Sequence, residues 1–286
     1  MRNATLDIRP VNRSVGAEIY GVDLAEPLDE GTCGEIRNAL LEHGVIFFRD
    51  QNLTPDQHLA FGGRMGTVDV DPTGGMGHPE GYPLITEVRK EPEQTENTGG
   101  NWHTDHSFDA APPLGSILLA RELPESGGDT LFAGMHAAYN ALSDGLKKTL
   151  EGLKAVHAKT HAFDNSNRSA DRKVSDQKRA EIHQKFATRE AVHPVVLRHP
   201  ESGRKILYVN PNYTVRFDGW TEDESKPLLK FLYAHASNPE FTCRFRWREG
   251  SIAFWDNRAV WHRAVNDYNG YRRLMHRVTL AGTPLT

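Results

Sequence analysis

The chain has 286 residues, 38% of them hydrophobic, with 34 basic and 38 acidic side chains, a formal charge of −4, 25 glycines and 16 prolines. This composition excludes collagen-like, fibrous and disordered chains, and its slightly acidic balance offers no general attraction to nucleic acid or an anionic membrane. Two cysteines, Cys33 and Cys243, are too few for a disulfide framework or a thiolate cluster and suit a reducing compartment.

The first ten residues hold no continuous apolar stretch, and no 18-residue apolar run occurs anywhere. Neither a cleaved signal peptide nor a membrane span is expected, and a cytoplasmic location is. Residues 28–43 read as a first helix stopped by Gly44. Thr54-Pro55-Asp56-Gln57 sets an N-cap, a first-turn proline and a capping-box glutamine in order, and Thr221-Glu222-Asp223-Glu224 repeats that logic. Ser143-Asp144 opens or resets a helix within 137–153. Residues 164–191 are strongly polar and read as a solvated insertion or a lid. Residues 193–198 and 205–209 read as strands joined by the turn Glu201-Ser202-Gly203. In 241–248 the apolar Phe241, Cys243, Phe245 and Trp247 alternate with Thr242 and three arginines, the period of a half-buried strand. Glu249-Gly250 reads as a hairpin turn into 251–255. Short strands with helices at the beginning and middle predict one mostly β domain over residues 1–286, with flanking helices and an antiparallel double-layered barrel. A Rossmann-type array is disfavoured, since neither a Gly-x-Gly-x-x-Gly run nor a phosphate loop is present.

Among 14 histidines, spacing selects few. In Trp102-His103-Thr104-Asp105 an imidazole and a carboxylate stand two residues apart, on one face of an extended segment. The block from Trp255 to Tyr268 adds His262. Two imidazoles and one carboxylate on one side of a metal leave three adjacent positions open, the arrangement of non-haem Fe(II) oxygenases. His103, Asp105 and His262 make such a set. Asp256 and Arg258 read as organisers of the loop that presents His262, and Phe241, Phe245 and Trp247 as core. His136, His157, His193, His199 and His276 have no partner pattern and read as structural. A zinc hydrolase built on the same three ligands and a non-catalytic barrel that senses small acids are the alternatives.

The combination His103-x-Asp105, Gly127-Gly128-Asp129-Thr130, Trp255-Asp256-Asn257-Arg258, His262 and Arg273-x-x-x-Arg277 closely resembles the taurine dioxygenase and 2,4-dichlorophenoxyacetate dioxygenase family of Fe(II)/2-oxoglutarate enzymes. The likeness runs from 16–24 through 45–50 to 277–279. It implies a double-stranded β-helix (jelly roll), with Fe(II) held by His103, Asp105 and His262. It also implies 2-oxoglutarate as cosubstrate on Thr130 and Arg273, Arg277 facing the acidic group of the primary substrate, and aromatic pocket positions at Phe163 and Tyr213. The partners are then dioxygen and a small anionic organic substrate, hydroxylated at an aliphatic carbon with release of succinate and CO2; a homo-oligomer is left open. One strand can carry both arginine roles, because residues i and i+4 share a strand face about 13 Å apart at the usual rise. Arginine suits both, binding carboxylates bidentately and remaining charged when desolvated.

The chain departs from taurine enzymes where the resemblance expects a sulfonate-contacting histidine (here Asp71), a pocket tyrosine (Gly74) and an amine-contacting asparagine (Gly99). These changes, with a glycine-rich segment at 73–77, favour an aryloxyalkanoate-like or other carboxylate over taurine, an alkyl sulfonate or an alkyl sulfate. His106 is either a second anion contact or a histidine on the opposite strand face.

Overall fold

The computed structural model describes residues 6–69, 77–161 and 189–285. Among them sixteen strands form, in chain order β1 (Asp7–Pro10), β2 (Ala17–Tyr20), β3 (Val45–Phe48), β4 (Val68–Asp69), β5 (Ile85–Lys90), β6 (Gly115–Glu122), β7 (Thr130–Gly134) and β8 (Lys154–Ala158). They continue with β9 (Glu190–Pro194), β10 (Val196–Arg198), β11 (Lys205–Leu207), β12 (Thr214–Phe217), β13 (Thr242–Phe245), β14 (Ile252–Asp256), β15 (Val260–Ala264) and β16 (Arg273–Leu280). Helices are α1 (Glu30–His43), α2 (Pro55–Met65), α3 (Met135–Asn140), α4 (Asp144–Leu150) and α5 (Glu222–Ala236).

The period-two alternation of the central strands decides the layering. In β3 all four residues are buried, yet Val45 and Phe47 belong to one apolar cluster while Ile46 and Phe48 belong to another. The same split separates Leu118 and Ala120 from Ile117 and Leu119 in β6, and Ala253 and Trp255 from Ile252 and Phe254 in β14. A sheet apolar on both faces must be covered on both. It runs β1-β2-β3-β14-β6-β16-β4, with β5 also paired to β16. Its outer face packs on α1 and α2 through Ile36, Leu40, Phe61 and Met65. Its inner face meets Phe132, Cys243, Phe245 and Val260 of a second sheet, β13-β7-β15. Behind that second sheet lie α3, α4 and α5 with the β12-β8-β9 sheet and the β10-β11 hairpin.

The expected helix signals operate as read. Asp29 caps α1, whose end at Gly44 has φ 73°, a left-handed conformation that glycine adopts without steric cost. Capping boxes close the starts of α2 (Thr54 and Gln57) and α5 (Thr221 and Glu224). Ser143 resets the middle segment into two helices. Turn 201–203 joins the β10-β11 hairpin, and no helix among the described residues is long and apolar enough to cross a membrane.

The 249–250 turn differs from expectation. β13 pairs with β7, whereas β14 pairs with β3 and β6, so the turn hands the chain from one sheet to the other instead of closing a hairpin. Gly250 (φ 70°) rests against the Gln51 backbone, where a Cβ would lie 3.0 Å from the carbonyl oxygen. Phe241 lies in a short 3-10 turn ahead of the strand, while Phe245 and Trp247 are core residues as expected.

Asp256, at the end of β14, is fully buried. It accepts from Arg258 Nε (2.9 Å), Arg258 Nη2 (2.6 Å), the Arg258 amide (2.8 Å) and His199 Nε2 (2.9 Å). Burial opposes its ionisation, but Arg258 and His199 hold the carboxyl far below the usual range. A folded-state pKa below the unfolded value of 3.8 stabilises the fold fully above about pH 4, a contribution lost as pH falls further. Asp256→Asn, which strands buried Arg258, is expected to cost about 3–5 kcal/mol in urea unfolding at pH 7. The gap between variant and wild type should narrow below about pH 4; a pH-independent gap would contradict this account.

Candidate active site

His103 and His262, far apart in sequence, are joined by an antiparallel bridge in which the His103 amide donates to the His262 carbonyl (3.1 Å) and the His262 amide to the His103 carbonyl (2.8 Å). Directly opposed residues send side chains to one side, and the two rings stand 4.1 Å apart between centroids. Asp105, two residues on, joins them: its Oδ1 is 3.5 Å from His103 Nε2 and 3.7 Å from His262 Nε2. One ligand atom from each residue lies within 4.8 Å of the others.

The protonation states suit a cation. His103 Nδ1 sits 2.7 Å from the Asn101 carbonyl, which can only accept, so the proton is on Nδ1 and Nε2 keeps its lone pair. Burial, then His103, push His262 down to about 3 against the pull of Asp105, so this imidazole is neutral at pH 7. Burial opposes ionisation of Asp105, but His262, His103 and Arg277 hold its carboxyl well below the usual range. A carboxylate with two neutral imidazoles is the deprotonated set a divalent metal requires.

Residues around this trio hold it in place. Ser116 Oγ donates to Asp105 Oδ2 (3.3 Å), and the Asp105 amide donates to Asn257 Oδ1 (3.4 Å). Asn257 is itself oriented by Trp255 Nε1 (2.8 Å), and Thr104 Oγ1 donates to its carbonyl. Asp256 and Arg258 build the turn leading into β15 and His262, as expected of them. Asn257 lay inside a quoted motif without an assigned task, and Ser116 sits in an apolar strand with no pattern to mark it.

A cavity of about 200 Å³ surrounds the trio. Thr130, Arg273, Arg277, His106 and Tyr213 line it, so these sequence-selected residues do converge. Val88, Leu118, Trp255, Lys159 and Asn212 also line it and were not foreseen. Thr130 Oγ1 accepts from Trp247 Nε1 (3.0 Å), which leaves its own proton to donate. Arg273 is 4% exposed, and its Nε and Nη2 have no hydrogen-bond partner among the described residues. Burial lowers its pKa. A buried guanidinium in this state calls for an anion. Gly128 (φ 70°) lets it pack closely, since a Cβ there would meet Arg273 Cδ at 3.2 Å and Nε at 3.3 Å.

His106 has φ 51°. This left-handed residue breaks the strand alternation, so His106 lines the same cavity as Asp105 and the opposite-face alternative is excluded. Gly99 has φ 80°, and a Cβ would lie 3.3 Å from His103 Cε1, so the backbone here disfavours the asparagine that taurine enzymes led us to expect. Asp71, Gly74 and Phe163 lie outside the described residues, as does most of the 164–191 insertion; its last two residues already belong to β9. A wider cleft of about 480 Å³, beside Trp102, Tyr233 and Arg263, holds none of the trio.

Residues 7–279 match the family described as "Taurine catabolism dioxygenase TauD, TfdA family". The chain is similar to an alpha-ketoglutarate-dependent sulfate ester dioxygenase of Pseudomonas putida, 38% identical over 97% of this chain and 90% of that protein. It is also similar to an alkylsulfatase of Acinetobacter baylyi, 35% identical over 98% of this chain and 86% of the other. Among solved structures, a taurine dioxygenase from Burkholderia xenovorans superposes with a TM-score of 0.82 at 34% identity, covering 99% of this chain and 91% of that one.

Gly128→Ala is expected to displace Arg273 and to weaken 2-oxoglutarate binding by about ten-fold or more, the loss of one charge-assisted contact. Calorimetric titration of the metal-loaded variant checks this, and wild-type affinity would contradict it.

Proposed function

We propose roles for the residues of this cavity from the premise that the chain belongs to the taurine catabolism dioxygenase TauD, TfdA family. The protein is a 2-oxoglutarate-dependent dioxygenase, an oxidoreductase that uses Fe(II) and 2-oxoglutarate. The two facing sheets are the jelly roll of such an enzyme, with the metal between them. His103, Asp105 and His262 hold the iron. The observation that carries this assignment is the convergence of three buried, correctly protonated ligand atoms within 4.8 Å of one another. Thr130 and Arg273 hold the distal carboxylate of 2-oxoglutarate, which gives the Arg273 guanidinium its counter-anion and the Thr130 hydroxyl an acceptor.

Iron and 2-oxoglutarate together supply the oxidising power: the keto acid is converted to succinate and CO2 with one atom of O2, and the other is delivered to an aliphatic C–H. The protein's part is placement. Ser116 and Asn257 fix Asp105, and Trp255, Val88 and Leu118 present apolar surface that excludes water from the reacting centre. Arg277 reaches in from β16 with Nη1 3.9 Å from Asp105 Oδ2, where it directs the acidic group of a small organic substrate toward the metal. His106 and Tyr213 complete the substrate side. A hydrolytic or sensing role would leave Arg273 and Thr130 without a task.

The favoured substrate is an aryloxyalkanoate-like or other carboxylate whose body rests on the apolar wall. Sulfate esters are the second reading, supported by the names of the relatives at 35% and 38% identity. Substrate-stimulated succinate formation across carboxylates, aryloxyalkanoates, sulfonates and alkyl sulfates decides between them.

His262→Ala is expected to abolish metal binding in an anaerobic Fe(II) titration together with all turnover; a retained metal isotherm would refute the ligand set. Arg277→Ala is expected to raise the substrate KM by about ten- to a hundred-fold, the worth of a charged hydrogen bond, while 2-oxoglutarate still binds. Equal loss of 2-oxoglutarate binding would undo the division of labour between the two arginines.

A further inference from the structure

Two different layers of the fold bring a cation to the cavity. Arg277 arrives on β16 of the large sheet. Lys159 directly follows β8, in the β12-β8-β9 sheet, and also lines the cavity. Its Nζ lies 4.8 Å from the centroid of the Phe108 ring. That ring lies 4.9 Å from Tyr213 and 5.2 Å from His106, and Tyr213 stands 6.4 Å from His103. This run of contacts sets Lys159 on the Tyr213 side of the metal ligands, whereas Arg277 stands on the β16 side beside Asp105.

The Phe108 platform is rigid. Phe108 is fully buried, and Arg189, with its Cζ 5.0 Å from the ring centroid, is locked to Asp109 at 2.7 Å through both carboxylate oxygens. A lysine resting on an aromatic face keeps ammonium protons to donate elsewhere. The apolar Val88, Leu118 and Trp255 line the same cavity.

We infer that Lys159 is a specificity-determining residue and that the primary substrate is an organic acid with two anionic ends, one held by Arg277 and the other by Lys159, with the oxidised carbon between them. This rests on the proposed roles of Arg277 and the metal ligands. A single carboxylate gripped bidentately by Arg277 would leave no charge of its own for Lys159, whereas an α,ω-dianion meets a cation at each end and apolar surface in the middle. The same arrangement works against a simple monoanion, whose apolar end would desolvate the ammonium without compensation.

The test is equilibrium binding to metal-loaded protein under anaerobic conditions, with 2-oxoglutarate titrated first. Failure of that first titration counts against the proposed function. Where it succeeds, two matched pairs follow: hexanoate against adipate, and hexyl sulfate against its ω-carboxylate. At least one dianion is expected to bind about ten-fold more tightly than its partner, as for one charge-assisted contact. Lys159→Met should erase that preference with the monoanion affinity unchanged, and Lys159→Arg, which keeps the charge, should restore it. Equal binding within both pairs in the wild type, or a preference that survives Lys159→Met, would overturn the inference while leaving the 2-oxoglutarate result standing.

Discussion

The site exists because two backbone hydrogen bonds join His103 to His262. Everything else is positioned from that bridge. Closing so long a loop costs conformational entropy, and the sheets on either side of the cavity supply the burial that offsets it. Once the bridge forms, the pleat carries Asp105 to the same side as the two rings, and no further long-range closure is needed to assemble three ligand atoms. The surrounding hydrogen bonds refine that arrangement. Asn257 reaches the Asp105 amide from the turn between β14 and β15, so one turn braces both halves of the ligand set.

Electrostatics at the site divide into finished and unfinished business. Asp256 with Arg258 and His199 is complete: donors surround the carboxylate, and Glu201 meets Arg258 on its outer side at 2.8 Å. Arg273 is different. Its guanidinium is almost wholly buried against Trp247, 5.8 Å from the ring centroid, and opens into the cavity. A cation desolvated before its anion arrives is a binding site whose cost was met by folding, so occupancy by a carboxylate should return stability to the protein as well as affinity to the ligand.

Much of this was legible because short-range chemistry leaves local marks. Caps at Thr54, Ser143 and Thr221 depend on residues three apart and were read directly. His-x-Asp declared a shared face, and the glycine pair at 127–128 marked a backbone that must pass close to Arg273. What escaped depends on partners distant in sequence. The alternation through 241–248 could not say that β13 and β14 lie in different sheets, because a hairpin turn and a sheet-to-sheet corner use the same residues. His106 was undecided because a left-handed residue resets the alternation on which the reading relied. Lys159 and Ser116 are ordinary side chains on ordinary strand ends, made functional only by what the fold lays beside them.

Strand β16 shows how tightly fold and function are coupled. Arg273, Met275 and Arg277 face inward, two to the cavity and one to the inter-sheet core, while Val278 and Leu280 face α2. Gly62 of α2 permits that packing, for a Cβ there would strike Val278 Cγ1 at 2.7 Å. A slip of one residue would turn both arginines out of the cavity and bring His276 and Leu274 in. Several constraints forbid it: β5 and β6 pair with β16 along its length, and Arg121 Nε donates to His276 Nδ1 (3.1 Å) on the outer side. The register that stabilises the large sheet is therefore the same register that places the anion-binding groups. A substitution on the outer face of β16 acts on the chemistry without touching the cavity, and selection for function and for folding bears on the same eight residues.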